Sequence, residues 1–225
     1  MTRSVLFDTE TTGLDPAQGH RVVEVAAIEL INDLPTKNVF HMLIDPERDM
    51  PEDALRIHGI TSEALRGKPR FAEIAPALLD FLADAKLVAH NAPFDFAFLD
   101  AEFARVGLPP LDPGRMVDTL ALAKARFPGL PNSLDALCRR FEIDLSARTT
   151  HNALLDCRLL ADVYVELTGG RQRGLLLVAE DGGGDAMVYI ASGPRTPRPI
   201  EPDPAELAAH AAFLARLRDP LWLSP

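Results

Sequence analysis

The sequence predicts an α/β fold: a mixed sheet flanked by helices, followed by a flexible C-terminal tail. Three observations point to it. Short β-prone runs come first, at 4–9, 22–31 and 37–44, and their tight connection suggests antiparallel pairing. Helical and strand patterns then alternate to about residue 167, which gives a layered α/β domain. Beyond Gly169-Gly170 the composition shifts to glycine and proline.

Residues 4–9 read as a short buried strand, and Asn32-Asp33-Leu34-Pro35 is a turn signal between the next two runs. Phe71, Ile74, Leu78, Phe81 and Leu82 recur at helical spacing, with Pro76 implying a kink or a late start. Lys86-Leu87-Val88-Ala89 is a short apolar strand, and a helix follows from about Pro93. Val117-Asp118-Thr119 is a strand end. Ser133 can cap a helix with Leu134, Leu137, Cys138 and Phe141 on one face. The last long helix of this part runs from near His151 to about Leu167. In the tail, Asp203 with Glu206 makes a capping box, and Pro204 suits the first position of a helix over 204–218. Leu207, Ala211, Leu214 and Leu217 form its narrow apolar stripe.

The 225 residues suffice for one ordinary domain plus an appendage. At 47% hydrophobic and 25% charged residues the chain reads as globular. No apolar run reaches the length of a membrane span. The N-terminus lacks the features of a signal peptide, so a cytoplasmic location is expected. Cys138 and Cys157 make no disulfide framework and read as buried thiols. A net charge of −10 argues against broad, autonomous nucleic-acid binding, because phosphate backbones recruit Lys and Arg. Metal ions reverse such charge locally, and an enzyme gripping only a strand end needs few phosphate contacts.

Four carboxylates and one histidine lie in three short blocks. Asp8 and Glu10 stand two apart in Phe7-Asp8-Thr9-Glu10-Thr11-Thr12-Gly13-Leu14, so on a strand they share a face. The alternative is an exposed pair of edge acids, but Leu6 and Phe7 argue for a buried strand, where unpaired acids are costly. Asp95 follows in His90-Asn91-Ala92-Pro93-Phe94-Asp95. Taken alone it reads as an acid complementing a helix dipole. His151 and Asp156 stand five apart, roughly 140° around a continuous helix. They converge only if His151 lies on the loop before that helix, where it suits a general base. Alone, they too read as an exposed histidine and a dipole-complementing acid. Together, oxygen ligands of this kind suit hard cations, and paired cations can drive phosphoryl displacement.

In order and local wording these blocks resemble the three motifs of the DEDDh family of 3′→5′ exonucleases, across about residues 4–167. The resemblance implies a ribonuclease H-like exonuclease fold. It implies two Mg²⁺ or Mn²⁺ ions held by Asp8, Glu10, Asp95 and Asp156, with Asp8 bridging both and His151 as general base. It also implies in-line attack on the terminal phosphodiester and release of a nucleoside 5′-monophosphate. His58-Gly59-Ile60-Thr61 resembles the loop lining the terminal-nucleotide pocket. Thr9, Gly13 and Leu14 would approach the terminal sugar and base, and Asn91 and Phe94 the penultimate part of the strand. A turn or core role for these residues stays open.

Within the family the tail resembles that of proofreading subunits of bacterial replicative polymerases. Gln172, Leu175 and Leu177 are similar to a peptide that docks on a sliding clamp; an ordinary short strand is the alternative. The helix with Leu214 and Leu217, followed by Leu221 and Trp222, resembles the segment that binds the polymerase α subunit. A helix folded back on the catalytic domain is the alternative. Expected domains are therefore the exonuclease at 1–168, a clamp-binding-like peptide and Gly/Pro-rich linker at 169–203, and a polymerase-binding helix and tail at 204–225. The expected function is proofreading at DNA 3′ ends within the replisome, at the nucleoid. The alternatives are an RNA-trimming exonuclease of the same family and a catalytically dead clamp or polymerase adaptor.

Overall fold

The computed structural model describes residues 2–148, 150–169 and 202–217. The strands are β1 (Arg3–Thr11), β2 (Val22–Ile31), β3 (Leu34–Leu43), β4 (Lys86–Ala89) and β5 (Met116–Asp118). They form one mixed sheet in the order β3-β2-β1-β4-β5. β2 is antiparallel to both β1 and β3, whereas β4 is parallel to β1 and β5 to β4. The helices are α1 (Glu52–His58), α2 (Ser62–Leu65), α3 (Phe71–Leu82), α4 (Ala92–Arg105), α5 (Thr119–Arg126), α6 (Leu134–Arg140), α7 (Ala153–Leu167) and α8 (Pro204–Leu214).

Strand periodicity sorts the core into two layers. Val5 and Phe7 join Val25, Ala27 and Leu87 against Phe71, Leu78, Phe98 and Phe103 of α3 and α4. Leu6 joins Ala26, Ile28 and Val88 against Leu137 and Cys138 of α6 and Cys157, Leu160 and Val163 of α7. The central strands are apolar on both faces because helices cover both. Both cysteines are buried and free, as expected.

The turn between β2 and β3 is shorter than the sequence suggests. Asn32 and Asp33 take positive φ values of 51° and 66°, and Ile31 pairs with Leu34. This is the backbone of a two-residue hairpin. β3 thus begins at Leu34 and not at 37, and Pro35 is accommodated because β3 is an edge strand. α3 begins at Phe71 and continues past Pro76, so no late start occurs. Glu73 steadies its first turn by accepting the Arg70 N–H at 2.7 Å. α1, α2 and α5 were not legible in the sequence: α2 is a single turn, and α1 and α5 bury no large apolar side chain that would mark a helical stripe.

The chain divides into two compact units, Met1–Leu176 and Leu177–Pro225. Within the second, α8 carries the expected cap: Asp203 accepts the Ala205 N–H at 2.8 Å, and Glu206 accepts the Asp203 N–H at 3.1 Å. The helix ends at Leu214, short of the expected 218, and Leu217 lies beyond it. Leu214 is buried, whereas Leu207, Phe213 and Leu217 are exposed. Gln172, Leu175, Leu177, Leu221 and Trp222 lie outside the described residues.

Candidate active site

β1 places the first two acids. Asp8 and Glu10 lie on the face that Leu6 shares with α7, near the C-terminal end of the strand. β4 runs parallel beside β1 and leads into α4 at the same end of the sheet. Asp95, in the first turn of α4, is therefore delivered to β1. Its Oδ1 accepts the Thr9 N–H at 3.0 Å and the Thr9 hydroxyl at 2.7 Å.

α7 delivers the remaining pair. The helix starts at Ala153, with Asn152 as N-cap accepting the Leu155 N–H at 3.0 Å. His151 thus precedes the helix, as convergence with Asp156 requires. His151 Nδ1 lies 3.4 Å from Asp156 Oδ2. The His151 N–H donates to the carbonyl of Ile57 on α1 at 3.2 Å, tying this loop to the opposite wall of the site.

The electrostatics are those of a site short of positive charge. Burial pushes Asp8 well above the usual carboxylate range, and Asp95, Glu10, Asp156 and Glu24 push it further. Glu10 is raised to about 8 by burial and then by Asp156, Glu24 and Asp95. Asp95 is raised to about 7 by burial, against the two Thr9 hydrogen bonds. Asp156 goes the other way. Burial pulls it up, but Arg148 and His151 outweigh that and hold it below the ordinary value. Arg148 donates from Nε and Nη2 to the two Asp156 oxygens, each at 2.7 Å, and from Nη1 to Asp135 at 2.8 Å.

Glu10, His151 and Asp156 each offer a ligand atom within 4.8 Å of the others. A buried carboxylate with raised protonation at Glu10, a second buried carboxylate at Asp156 and the His151 imidazole form a donor set that a hard divalent cation would satisfy. The residues present therefore fit a metal centre.

Beside the acids lies a pocket of about 460 Å³. Thr9, Glu10, Gly13, Leu14, His58 and Phe94 all line it. Leu14 is 80% exposed on its rim. At Gly13 a Cβ would lie 2.3 Å from the His20 ring, so a larger residue there would displace that side chain. His58 is buried, and burial holds its imidazole below the ordinary value. Its Nδ1 accepts the Ile60 N–H at 3.0 Å, and its Nε2 has no hydrogen-bond partner among the described residues. Asn91, expected at the penultimate part of the strand, stands at the head of α4. It takes a left-handed conformation at the α4 N-cap, with its N–H donated to Asp118 Oδ1 at 3.0 Å. Its side chain is exposed and does not line the pocket.

Sequence reasoning missed Arg148, Glu24 and the α1 wall with Asp53 and Ile57. Glu24 had a readable signal, a lone acid in Val22-Val23-Glu24-Val25-Ala26-Ala27, where burial demands partners. Arg148 had none beyond its position three residues before His151.

Comparison with known proteins agrees with this geometry. The family model described as Exonuclease matches residues 5–164. DNA polymerase III subunit epsilon of Rickettsia felis is 47% identical over 221 residues, covering 96% of each chain. That of Escherichia coli K12 is 44% identical over 178 residues, 76% of this chain and 73% of the relative. Among solved structures, exonuclease X in complex with 5′ overhanging duplex DNA is 28% identical at a TM-score of 0.59, covering 75% of this chain and 92% of that one. The zinc-bound E. coli exonuclease I–ssDNA complex has a TM-score of 0.65 and covers 76% of this chain and 41% of that one. At 21% identity it shows the shared fold alone. The chain belongs to the exonuclease family and, within it, to the epsilon subunits of DNA polymerase III.

Proposed function

We propose that this chain proofreads DNA synthesis, removing mismatched 3′-terminal nucleotides as 5′-monophosphates while attached to the replicative polymerase. The carrying observation is the gathering of Asp8, Glu10, Asp95 and Asp156 at one sheet end, beside a pocket with an apolar rim. That arrangement suits a single unpaired strand end entering with its last base against Leu14 and its penultimate part near Phe94. Pairing must be broken to enter, so frayed ends are favoured, and mismatched ends fray most.

Asp8, Glu10, Asp95 and Asp156 would hold two divalent cations, Mg²⁺ or Mn²⁺. When bound, such ions neutralise charge on the attacking and leaving oxygens of a phosphodiester. His151, half-exposed on its loop, is placed to take the proton from the attacking water. Thr9 fixes Asp95 beside β1 through its N–H and its hydroxyl. Thr9, Gly13, Leu14 and His58 would bind and orient the terminal nucleotide, with Asn91 and Phe94 at the penultimate part of the strand.

The domain assignment follows: the exonuclease at 1–168, a clamp-binding peptide and linker at 169–203, and a polymerase-binding tail at 204–225. The tail would hold the exonuclease near the growing end by raising its effective concentration. The replisome would set its location at the nucleoid. Among the described residues no helix is long and apolar enough to cross a membrane.

The deciding experiment is hydrolysis of a 5′-labelled single-stranded DNA with Mg²⁺, beside RNA of the same sequence and an EDTA control. A ladder shortening from the 3′ end of DNA, abolished by EDTA, is expected. Preference for RNA would replace the proofreading assignment with RNA trimming. Hydrolysis of neither, with bound metal confirmed, would leave an adaptor.

A further inference from the structure

Glu24 belongs to none of the motifs that mark the site, yet it stands in the same row. In the antiparallel β1–β2 pair it lies directly opposite Glu10, so both side chains rise from one face of the sheet. It is 1% exposed. Both of its oxygens are engaged by donors. Oε1 accepts from Asn152 Nδ2 at 3.0 Å and is paired with His41 Nε2 at 2.6 Å. Oε2 accepts the Ala153 N–H at 3.1 Å.

Two of these donors sit at the start of α7, between His151 and Asp156. Asn152 also caps the helix through its Oδ1, and its carbonyl accepts the Asp156 N–H at 2.8 Å. One buried carboxylate thus fastens the joint from which both residues project. His41, a diagonal neighbour on the edge strand β3, holds the same carboxylate from the other side.

We infer that Glu24 is a positioning residue: through Asn152 and Ala153 it sets where His151 and Asp156 stand relative to Asp8 and Glu10. The inference rests on the exonuclease reading above. Two neighbouring acids then divide the work. Glu10 remains open toward a cation, and Glu24 spends its charge on the helix terminus, where charge-assisted bonds to backbone and amide donors are strong. Without that anchor the His151 loop keeps, among the described residues, its tie to Ile57 and its contacts with Arg148 and Asp156. A misplacement on the order of 1 Å at a catalytic group costs about a hundredfold in rate.

The test uses the full-length chain with Glu24→Gln and Asn152→Ser. The first keeps volume and one acceptor but loses the charge. The second keeps a good N-cap and loses only the donor to Glu24. Each is expected to lower kcat per folded molecule about ten- to a hundredfold, with KM for the oligonucleotide unchanged. In the metal-free proteins, amide hydrogen exchange at 153–156 should quicken about tenfold, while the β1–β2 amides stay protected. A kcat within about twofold of the parent in both variants, with unchanged exchange, overturns the inference. So does a loss of rate that merely tracks the unfolded fraction. If the parent itself hydrolyses no DNA, the exonuclease reading falls, and hydrogen exchange still decides whether Glu24 anchors α7.

Discussion

Arg148 holds both carboxylate oxygens of Asp156 at 2.7 Å, and this pairing splits the four acids into two kinds. Asp156 is compensated from within the chain and titrates low. Asp8, Glu10 and Asp95 are buried among one another and titrate high. The site is therefore strained by its own charge at one end and clamped at the other.

Removing the two kinds of acid should have opposite effects on the metal-free protein. Asp8→Asn relieves repulsion and should raise stability in EDTA by on the order of 1 kcal/mol. Arg148→Ala strands a buried charge and should lower it by about 3 kcal/mol. Asp156→Ala, which breaks the same pair, should not stabilise. Asp8→Asn and Asp156→Ala should each cut hydrolysis by about 10²–10³ or more. Urea unfolding with and without Mg²⁺, beside the hydrolysis assay, checks all three. Near-normal activity in Asp8→Asn would dismiss the metal assignment.

The raised acids also set a pH dependence. Glu10 and Asp95, raised to about 8 and about 7, bind more protons folded than unfolded between their ordinary values near 4 and those raised values. Stability of the metal-free protein should therefore fall as pH rises through that window. Divalent cation should remove the fall by replacing the lost protons. Thermal unfolding at pH 6 and pH 8.5, in EDTA and in Mg²⁺, measures it. A flat profile in EDTA would contradict the burial of these acids.

His151 projects from a loop and its side chain is 51% exposed. His151→Ala should leave the unfolding midpoint unchanged and lower kcat by about 10²–10⁴, the range for loss of a general base. Single-turnover hydrolysis separates this from slow product release. A small effect would transfer the proton to another group.

Leu14 is exposed on the pocket rim and packs little in the free protein. Leu14→Ala should be neutral for stability and should raise KM for single-stranded DNA about tenfold, as expected for lost apolar contact. Steady-state kinetics on oligonucleotides ending in each base would show it. An unchanged KM would remove Leu14 from the substrate contacts.

Trp222, beyond the described residues, is the proposed anchor of the polymerase-binding tail. Trp222→Ala should spare hydrolysis of a free oligonucleotide and weaken binding to the polymerase α subunit by about 2 kcal/mol or more, the scale of an aromatic anchor. Isothermal titration with that subunit measures it. Equal binding would reject the tail reading.

Much of this protein is written in local pattern. The apolar run of the buried strand at 4–9 and the helical spacing of Phe71 to Leu82 are read directly from the chain. So are the Asp203 cap and the three acid blocks, because each needs only neighbours in sequence. The constraint that His151 must precede its helix also came from spacing alone. The short helices α1, α2 and α5 were invisible because they are held by tertiary packing, which propensity over a few residues does not report. The tertiary structure alone decided how charge is shared in the site. Arg148 and Asp156 lie eight residues apart, and Glu24 and Asn152 lie 128 apart. No periodicity links such residues. Only the sheet order β2-β1-β4, with α7 packed across it, brings them within hydrogen-bond reach. Burial then turns those contacts into opposite shifts for chemically identical carboxylates.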